Sequence, residues 1–321
     1  SRLPPKRDKH KENPSALTII TRELRNLDTL LKAIRGKVES TEISSKTLET
    51  ARNIITAVSK ERDVCLASVF FNRTTENYPL CHSLDTAIIA GIIGLSLDKP
   101  GDMILKMVAG SLTMNISMLQ LQQRLLSKSE KLSEDELSKI RHHPEASRHL
   151  LERAGITDKE WLDNVLYHHE KNDGSGYPMG LREDAIPEAA KIICLADRYT
   201  ATISPRTYRP GMAPNVVLRQ LLIHEGDTLD ITHAGVLTKV VGIYPPGMFV
   251  KLRNGETAVV FASGDDAASP VVKSILDANN NPLAFPIARQ TSEASLRIAG
   301  PVRLDPDRVP FDMAKIWGQK K

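Results

Sequence analysis

The sequence has few aromatic side chains, few cysteines and little excess charge, and each shortage excludes a class of protein. Aromatic residues make up 4% of the 321 residues, so a core of aliphatic side chains and methionine is expected, which suits helical packing. The three cysteines, Cys65, Cys81 and Cys194, have no CxxC spacing, which favours reduced thiols in a cytosolic protein over a disulfide framework. A formal net charge of +4 is small for this length, so the sequence does not indicate a surface for a nucleic-acid polymer.

Long apolar runs are also missing from the sequence. We find no apolar run of about 18 residues and no signal-type N-terminus, so neither a membrane span nor export is expected. A cytoplasmic protein is therefore expected. The stretch SRLPPKRDKHK is rich in charge and contains proline, which predicts a solvated linker.

Hydrophobic periodicity divides the chain into three parts. Residues 1–62 hold the basic tail and two predicted amphipathic helices, which we interpret as an entry or dimerisation segment, so a homodimer is expected. Residues 63–243 hold successive predicted helices, and the stretch SEDE predicts a capped helix start. Residues 244–321 carry strand patterns around an Asn-Gly turn, which predicts a small antiparallel β unit. The expected fold class is mainly α, an all-helical bundle with this β unit at its end.

Histidines and one buried aspartate stand out among the predicted helices. His82 begins an apolar helix, His143 stands in a His-Pro step, and His168 and His169 open the stretch HHEKNDGSGYPMGL. Asp197 lies inside ICLADRY, where an unpaired carboxylate would be costly to bury, so a cation or hydrogen-bond donors must compensate it. Imidazoles and a carboxylate from different helices are typical ligands of a transition-metal hydrolase site. Histidines that are hydrogen-bonded within the core are the alternative interpretation.

Three ordered motifs run through the second half of the chain: HHEKNDGSGYPMGL, IPEAAKIICLADRYTA and SPRTYRPG. Together they resemble the HD-GYP family, the GYP branch of the HD phosphohydrolase superfamily, and the similarity extends from about His82 through VVGIYPPGMFVKLRNGE. The resemblance implies an α-helical domain with a two- or three-metal centre, usually iron or manganese, that hydrolyses cyclic di-GMP. Such metals would activate water, bridge the scissile phosphate and offset developing charge.

The resemblance also implies roles for individual residues. The family's metal ligands are matched by His82, His143, His168, His169 and Asp197. The family's HHE…D stretch continues through Glu170 into a signature loop, which is matched by Asp173, Gly174, Gly176, Tyr177 and Pro178. A glycine-rich turn permits positive φ and brings backbone N–H groups near a ligand or a partner.

A basic motif of the family is matched by Arg206, Tyr208 and Arg209. An arginine fork can pair with phosphate, and a tyrosine can stack on a ligand or donate a hydrogen bond. A surface salt bridge is the alternative interpretation of Arg209.

The sequence departs from the family at the position that names it. Family members carry the pattern LLHDIGK before the His-Pro step, whereas the aligned run here is SLTMNISM. Met114 stands in place of the histidine, Asn115 in place of the aspartate, Ser117 in place of glycine and Met118 in place of lysine. In the family the aspartate bridges two metals, which lie about 3.5 to 4 Å apart, and a neutral amide removes that bridging charge. Met114 offers only a soft thioether, and Met118 cannot stabilise phosphate as an ammonium would.

A complete binuclear centre is therefore not expected. One divalent ion, iron or manganese, held by His143, His168 and His169 with help from His82 and Asp197, is the first alternative. The second is a polar core without metal, in which the imidazoles are hydrogen-bonded to each other, to the amide that replaces the bridging aspartate, and to the buried carboxylate.

Three functions follow from these alternatives. The first is a domain with impaired hydrolysis that acts as a cyclic-dinucleotide sensor or a protein-interaction module; for this family the GYP surface is associated with diguanylate cyclase (GGDEF) domains. The second is a slow, one-metal phosphodiesterase acting on cyclic di-GMP or a related cyclic dinucleotide. The third is a structural dimerisation scaffold built on the N-terminal helices.

Overall fold

The computed structural model describes residues 14–36, 41–71, 77–205, 211–223, 228–264, 266, 268–302, 304 and 312–318. Its helices are α1 (Ala16–Arg35), α2 (Thr41–Lys60), α3 (Arg62–Phe71), α4 (Tyr78–Ser96), α5 (Gly101–Thr113), α6 (Leu119–Leu126), α7 (Glu134–Arg153), α8 (Lys159–Tyr167), α9 (Glu188–Ile203), α10 (Pro214–Ile223), α11 (Ile231–Val241) and α12 (Met313–Trp317). Its strands are β1 (Phe249–Leu252), β2 (Thr257–Ala262), β3 (Val271–Leu276), β4 (Pro282–Gln290) and β5 (Ile298–Pro301). The expected fold class, a helical bundle followed by a small β unit, is confirmed.

Side-chain caps define where several helices begin. Ser133 accepts a hydrogen bond from the Glu136 backbone N–H at 3.2 Å, and the Glu136 carboxylate accepts from the Ser133 N–H at 2.8 Å. This reciprocal pair satisfies two amide donors that a helix leaves without partners, as the stretch SEDE predicts. Asp158 caps α8 in the simpler way, by accepting the Trp161 N–H at 2.9 Å.

One apolar core joins the helices from α1 to α11. Leu27 of α1 and Ile54 of α2 are fully buried in the same cluster as Ile88 of α4 and Leu112 of α5. None of the large exposed apolar side chains in the described part of the chain lies in α1 or α2. The apolar faces of both N-terminal helices are thus used inside this chain, while the division at residue 62 and the homodimer stay predictions.

The most apolar helix is α4. The sequence predicts no membrane span, yet among the described helices Tyr78–Ser96 is long and apolar enough, by length and composition only, to cross a membrane. However, 83% of its most apolar window is buried inside the protein, as in a core helix. Its position explains the burial, since α4 packs between α5 and α9 at the centre of the bundle.

The C-terminal unit is an antiparallel sheet with strand order β4-β3-β2-β1-β5. The Asn254-Gly255 turn joins β1 to β2 as predicted, and Gly255 has a φ of 89°, which favours glycine. Val250, Val260 and Val272 are fully buried on one face of the sheet.

Helix α12 covers the opposite face. The Trp317 indole N–H donates to the Phe261 carbonyl at 2.9 Å, and the two rings stack with centroids 6.0 Å apart. The sequence of this region shows no clear period and does not predict α12. The five residues of this helix are too few to show a helical hydrophobic pattern.

Candidate metal centre

Three imidazoles meet at the centre of the helical bundle. His143 lies in the middle of α7, His168 directly follows α8, and His169 comes next. One ring nitrogen of each lies within 4.8 Å of the others. His143 and His168 are buried and His169 is half-buried. The fold therefore brings together three of the five predicted ligands as one cluster.

The proline in the His-Pro step fixes the orientation of the first imidazole. Pro144 has no N–H, so the Ile140 carbonyl lacks the donor that a helix normally supplies four residues later. The His143 Nδ1–H donates to this carbonyl at 2.6 Å. The His168 Nδ1–H makes an equivalent bond to the Val165 carbonyl at 2.7 Å. Because the carbonyls can only accept, both rings carry their proton on Nδ1 and a lone pair on Nε2.

The two lone pairs point at each other. Nε2 of His143 lies 3.2 Å from Nε2 of His168. Burial, followed by the neighbouring His168, lowers the pKa of His143 to about 3, and burial also lowers the pKa of His168, so both effects oppose a proton shared between the rings. Two nitrogens bound to one ion at about 2.1 Å are about 3.0 Å apart at a right angle and about 3.4 Å apart at the tetrahedral angle. This donor set fits one transition-metal ion.

The other two predicted ligands face each other. His82 Nε2 lies 2.7 Å from the Asp197 carboxylate, and the two side chains are 2% and 15% exposed. Burial would raise the pKa of Asp197, but the hydrogen bond from His82 and the nearby imidazoles outweigh it, so that pKa lies well below the usual range. Asp197 is close enough to raise the pKa values of His143 and His168 electrostatically. Asp197 thus borders the cluster, and metal ligation by this pair stays a prediction.

The Met114–Asn115 run lies beside the cluster. Met114 ends α5 and is fully buried in the apolar core, and Asn115 is 3% exposed. Ser117 attaches this turn to α7, because its Oγ donates to the His143 carbonyl at 3.0 Å and its N–H donates to Ser147 Oγ at 3.2 Å. A thioether and an amide therefore occupy a turn that is hydrogen-bonded to the helix of His143.

The signature loop folds back over the vicinal histidines. The Tyr177 ring stacks on His169 with centroids 4.8 Å apart, and the Tyr177 N–H donates to the His169 carbonyl at 3.2 Å. Gly176 passes so close that a Cβ there would lie 2.5 Å from the His169 carbonyl oxygen and 2.5 Å from the Lys171 nitrogen. Only glycine fits this position.

A buried carboxylate holds the far side of the loop. Glu170 is 2% exposed, and its carboxylate accepts the backbone N–H groups of Met179 at 2.6 Å and Leu181 at 2.9 Å. Gly174 has a φ of 76°, and Asp173 accepts the Ser175 N–H at 2.9 Å within the same turn. The Tyr177–Pro178 peptide bond is cis. Glu170 therefore serves the loop through its backbone hydrogen bonds in this structure.

Some features of the site are not predicted from the sequence, and one predicted motif cannot be compared with the structure. The predicted basic motif, Arg206, Tyr208 and Arg209, lies outside the described residues. The roles of the Ile140 carbonyl and of Ser147 are not among the features predicted from the sequence. The His-Pro step signals the first, since proline always leaves a carbonyl without its helical donor. No local pattern signals the second, which depends on how α7 packs.

Comparison with known proteins identifies related chains. A family model described as HD domain matches residues 38–232. A cyclic di-GMP phosphodiesterase of Pseudomonas aeruginosa is 28% identical over 254 residues, which cover 78% of this chain and 59% of the relative. The cyclic di-GMP phosphodiesterase PdeB of Borreliella burgdorferi is 24% identical over 188 residues, covering 59% and 49%. A 3'3'-cGAMP-specific phosphodiesterase of Vibrio cholerae is 37% identical over 113 residues, covering 35% and 25%.

A solved structure shares the fold. An HDG"Y"P protein from Bdellovibrio bacteriovorus superimposes with a TM-score of 0.59 at 15% identity, over 73% of this chain and 74% of the other. At this identity the likeness concerns the fold alone. The chain spans less than two thirds of the length of each curated relative named above.

Proposed function

We propose a function from one premise: the chain belongs to the HD domain family, in its HD-GYP branch. The proposed function is binding of a cyclic dinucleotide, cyclic di-GMP or a close relative, by a domain whose hydrolytic chemistry is impaired. In this proposal the domain works as a nucleotide sensor or a protein-interaction module in bacterial signalling. Cytoplasmic location, a homodimer and GGDEF-domain partners are parts of the same proposal.

The observation that carries the proposal is the pair at the family's dyad position. Met114 is fully buried in the apolar core and Asn115 stands next to it, in a turn attached to the helix of His143. Neither side chain carries a charge, so neither replaces a carboxylate that bridges two cations. The retained loop around Tyr177 and the histidine cluster support continued recognition without efficient hydrolysis.

His143, His168 and His169 would hold one divalent ion in this proposal. Imidazole suits iron, and the resemblance favours iron or manganese. An ion held there would supply Lewis-acid chemistry, polarising a phosphoryl oxygen and making water more acidic. The chain's own contribution is to fix the two rings through the Ile140 and Val165 carbonyls, so that their lone pairs converge.

Calorimetric titration of anaerobically prepared protein with cyclic di-GMP tests the proposal, together with a turnover assay on the same sample. We expect binding of the intact dinucleotide and turnover far below the typical range of about 1 to 1,000 per second. Brisk hydrolysis with added iron or manganese contradicts impaired catalysis. Failure of the dinucleotide to bind contradicts the sensor and favours a structural scaffold.

A slow, one-metal phosphodiesterase is the second candidate. The converging Nε2 atoms of His143 and His168 favour it, because they offer a ready pair of ligands. Slow hydrolysis should then be abolished by His168→Ala and by chelation. Unchanged turnover in either experiment rejects this candidate.

A further inference from the structure

A small cleft opens between the end of α1 and the first turns of α4 and α6. Its volume is about 210 Å³. The polar groups around it come from α1, α6 and the residue before α4, and apart from the carboxylate of Asp28 they are cations or amides: Lys32, Arg35, Asn77, Gln120 and Gln123. Two cations with several amide donors, facing one space, form a surface suited to an anion.

The cleft wall is continuous along the chain with two segments of the candidate site. At one place, Tyr78 lies between Asn77 and Pro79 of the cleft wall, and its ring stacks on His82 with centroids 5.6 Å apart and planes 17° apart. At a second place, Leu119 of the cleft wall directly follows Met118, the last residue of the stretch SLTMNISM that differs from the family pattern. The start of α4 and the turn before α6 therefore belong both to the cleft wall and to the predicted site.

The charge of the cleft comes from outside the family region. Lys32 and Arg35 precede residue 38, where the match to the HD domain model begins. Both side chains are exposed, and Lys32 lies 2.7 Å from Asp28 in a surface pair that contributes little to stability. An arginine fork can donate two parallel hydrogen bonds to a phosphate, and a lysine adds a point charge.

We propose that Lys32 and Arg35 bind a phosphate of the cyclic dinucleotide in this cleft. The inference rests on the proposed function and names its phosphate subsite. Met118 stands where the family resemblance implies a lysine, so the positive charge expected after the dyad position is missing. Lys32 and Arg35 of α1 place two positive charges in the wall of the cleft. Helix α1 would then be part of the ligand site as well as part of the core.

The test compares Lys32→Gln, Arg35→Gln and the double variant with the wild type by calorimetric titration of cyclic di-GMP at low and high salt. Arg25→Gln is the matched control, since Arg25 is an exposed cation of the same helix that does not line the cleft. Circular dichroism melts check that each variant is folded. We expect about tenfold weaker binding for each single variant, and a smaller salt dependence for the double variant.

Two results overturn the inference. If the wild type binds cyclic di-GMP and the cleft variants bind it equally well, the proposed function survives and the subsite is wrong. If the wild type does not bind the dinucleotide, the proposed function fails, and titration with inorganic pyrophosphate then decides the subsite alone. Pyrophosphate binding that is lost in Arg35→Gln supports an anion site, whereas no binding, or binding that survives this change, rejects it.

Discussion

Nε2 of His143 and Nε2 of His168 lie 3.2 Å apart, and each ring donates its Nδ1–H to a backbone carbonyl. Two acceptors at this distance repel each other unless a cation lies between them. The lowered pKa of His143, about 3, which is caused first by burial, makes a bridging proton unfavourable at neutral pH. In the proposed one-metal site, an ion between the two nitrogens would remove this repulsion, and the next two experiments test that proposal.

Replacing His168 with alanine should remove one of the converging nitrogens. Mutating a residue that only hydrogen-bonds to a metal ligand typically lowers metal affinity by roughly 10- to 100-fold. Because His168 would itself be a ligand, we expect its loss to lower the affinity by more. Equilibrium dialysis with elemental analysis measures the change. His149→Ala is the control, because His149 is exposed on α7, the helix that carries His143. Equal metal content in wild type and His168→Ala would show that the cluster does not hold the ion.

Restoring the dyad should add a second ion. The double change Met114→His and Asn115→Asp supplies an imidazole and a bridging carboxylate in the turn attached to α7. We expect metal content per chain to rise from one to two, with some loss of stability because Met114 is fully buried among apolar groups. The single variant Asn115→Ala is the control and should stay at one. If the double variant also binds one ion per chain, the missing carboxylate is not the reason why a second ion is absent.

The sequence predicts the site better where local rules apply than where packing decides. The cap at Ser133 and the turn at Gly255 follow from local chemistry, and the structure has both. The pairing of His82 with Asp197 joins residues 115 positions apart, so no local pattern encodes it. The attachment of Ser117 to Ser147 likewise depends on how α7 lies against the end of α5.

The sequence understates the apolar character of α4 for a different reason. Its buried polar residues, including His82, Thr86 and Asp85, interrupt the apolar run when the sequence is read by itself. In the folded chain they lie in the bundle, where Thr86 donates to the His82 carbonyl at 2.8 Å. Burial on all sides hides the amphipathic pattern that identifies the surface helices α1 and α2.

Gly176→Ala should disrupt the signature loop. The new Cβ would lie 2.5 Å from the His169 carbonyl oxygen, and backbone on both sides prevents an easy adjustment. We expect a loss of about 2 kcal/mol or more in the free energy of unfolding, measured by denaturant titration. Gly235→Ala is the matched control, because Gly235 lies inside α11 and the added methyl group would meet nothing within 4 Å, so alanine there should stabilise by about 0.5–1 kcal/mol. Equal changes in the free energy of unfolding for the two variants would contradict the close backbone contact at Gly176.

Protonation of the Glu256 carboxylate should lower the stability of the β unit in acid. Arg289 donates two hydrogen bonds to Glu256, at 2.9 and 2.7 Å, and lowers the pKa of Glu256 from 4.5 to about 2 against the effect of burial. Because the folded-state pKa is the lower one, this stabilisation is present above pH 4.5 and declines as the pH falls towards 2. Thermal melts of wild type and Glu256→Gln should therefore differ most near neutral pH and converge in acid. A gap that widens on acidification would contradict the assignment.

The central proposal is that the chain holds one metal ion, where the family resemblance implies a coupled pair. Electron paramagnetic resonance of anaerobic protein titrated with Mn(II), with bound metal counted on the same sample, tests it most directly. One ion per chain with the spectrum of isolated Mn(II), and little hydrolysis of cyclic di-GMP, is the predicted result. Two ions per chain with an exchange-coupled spectrum and rapid hydrolysis would contradict it.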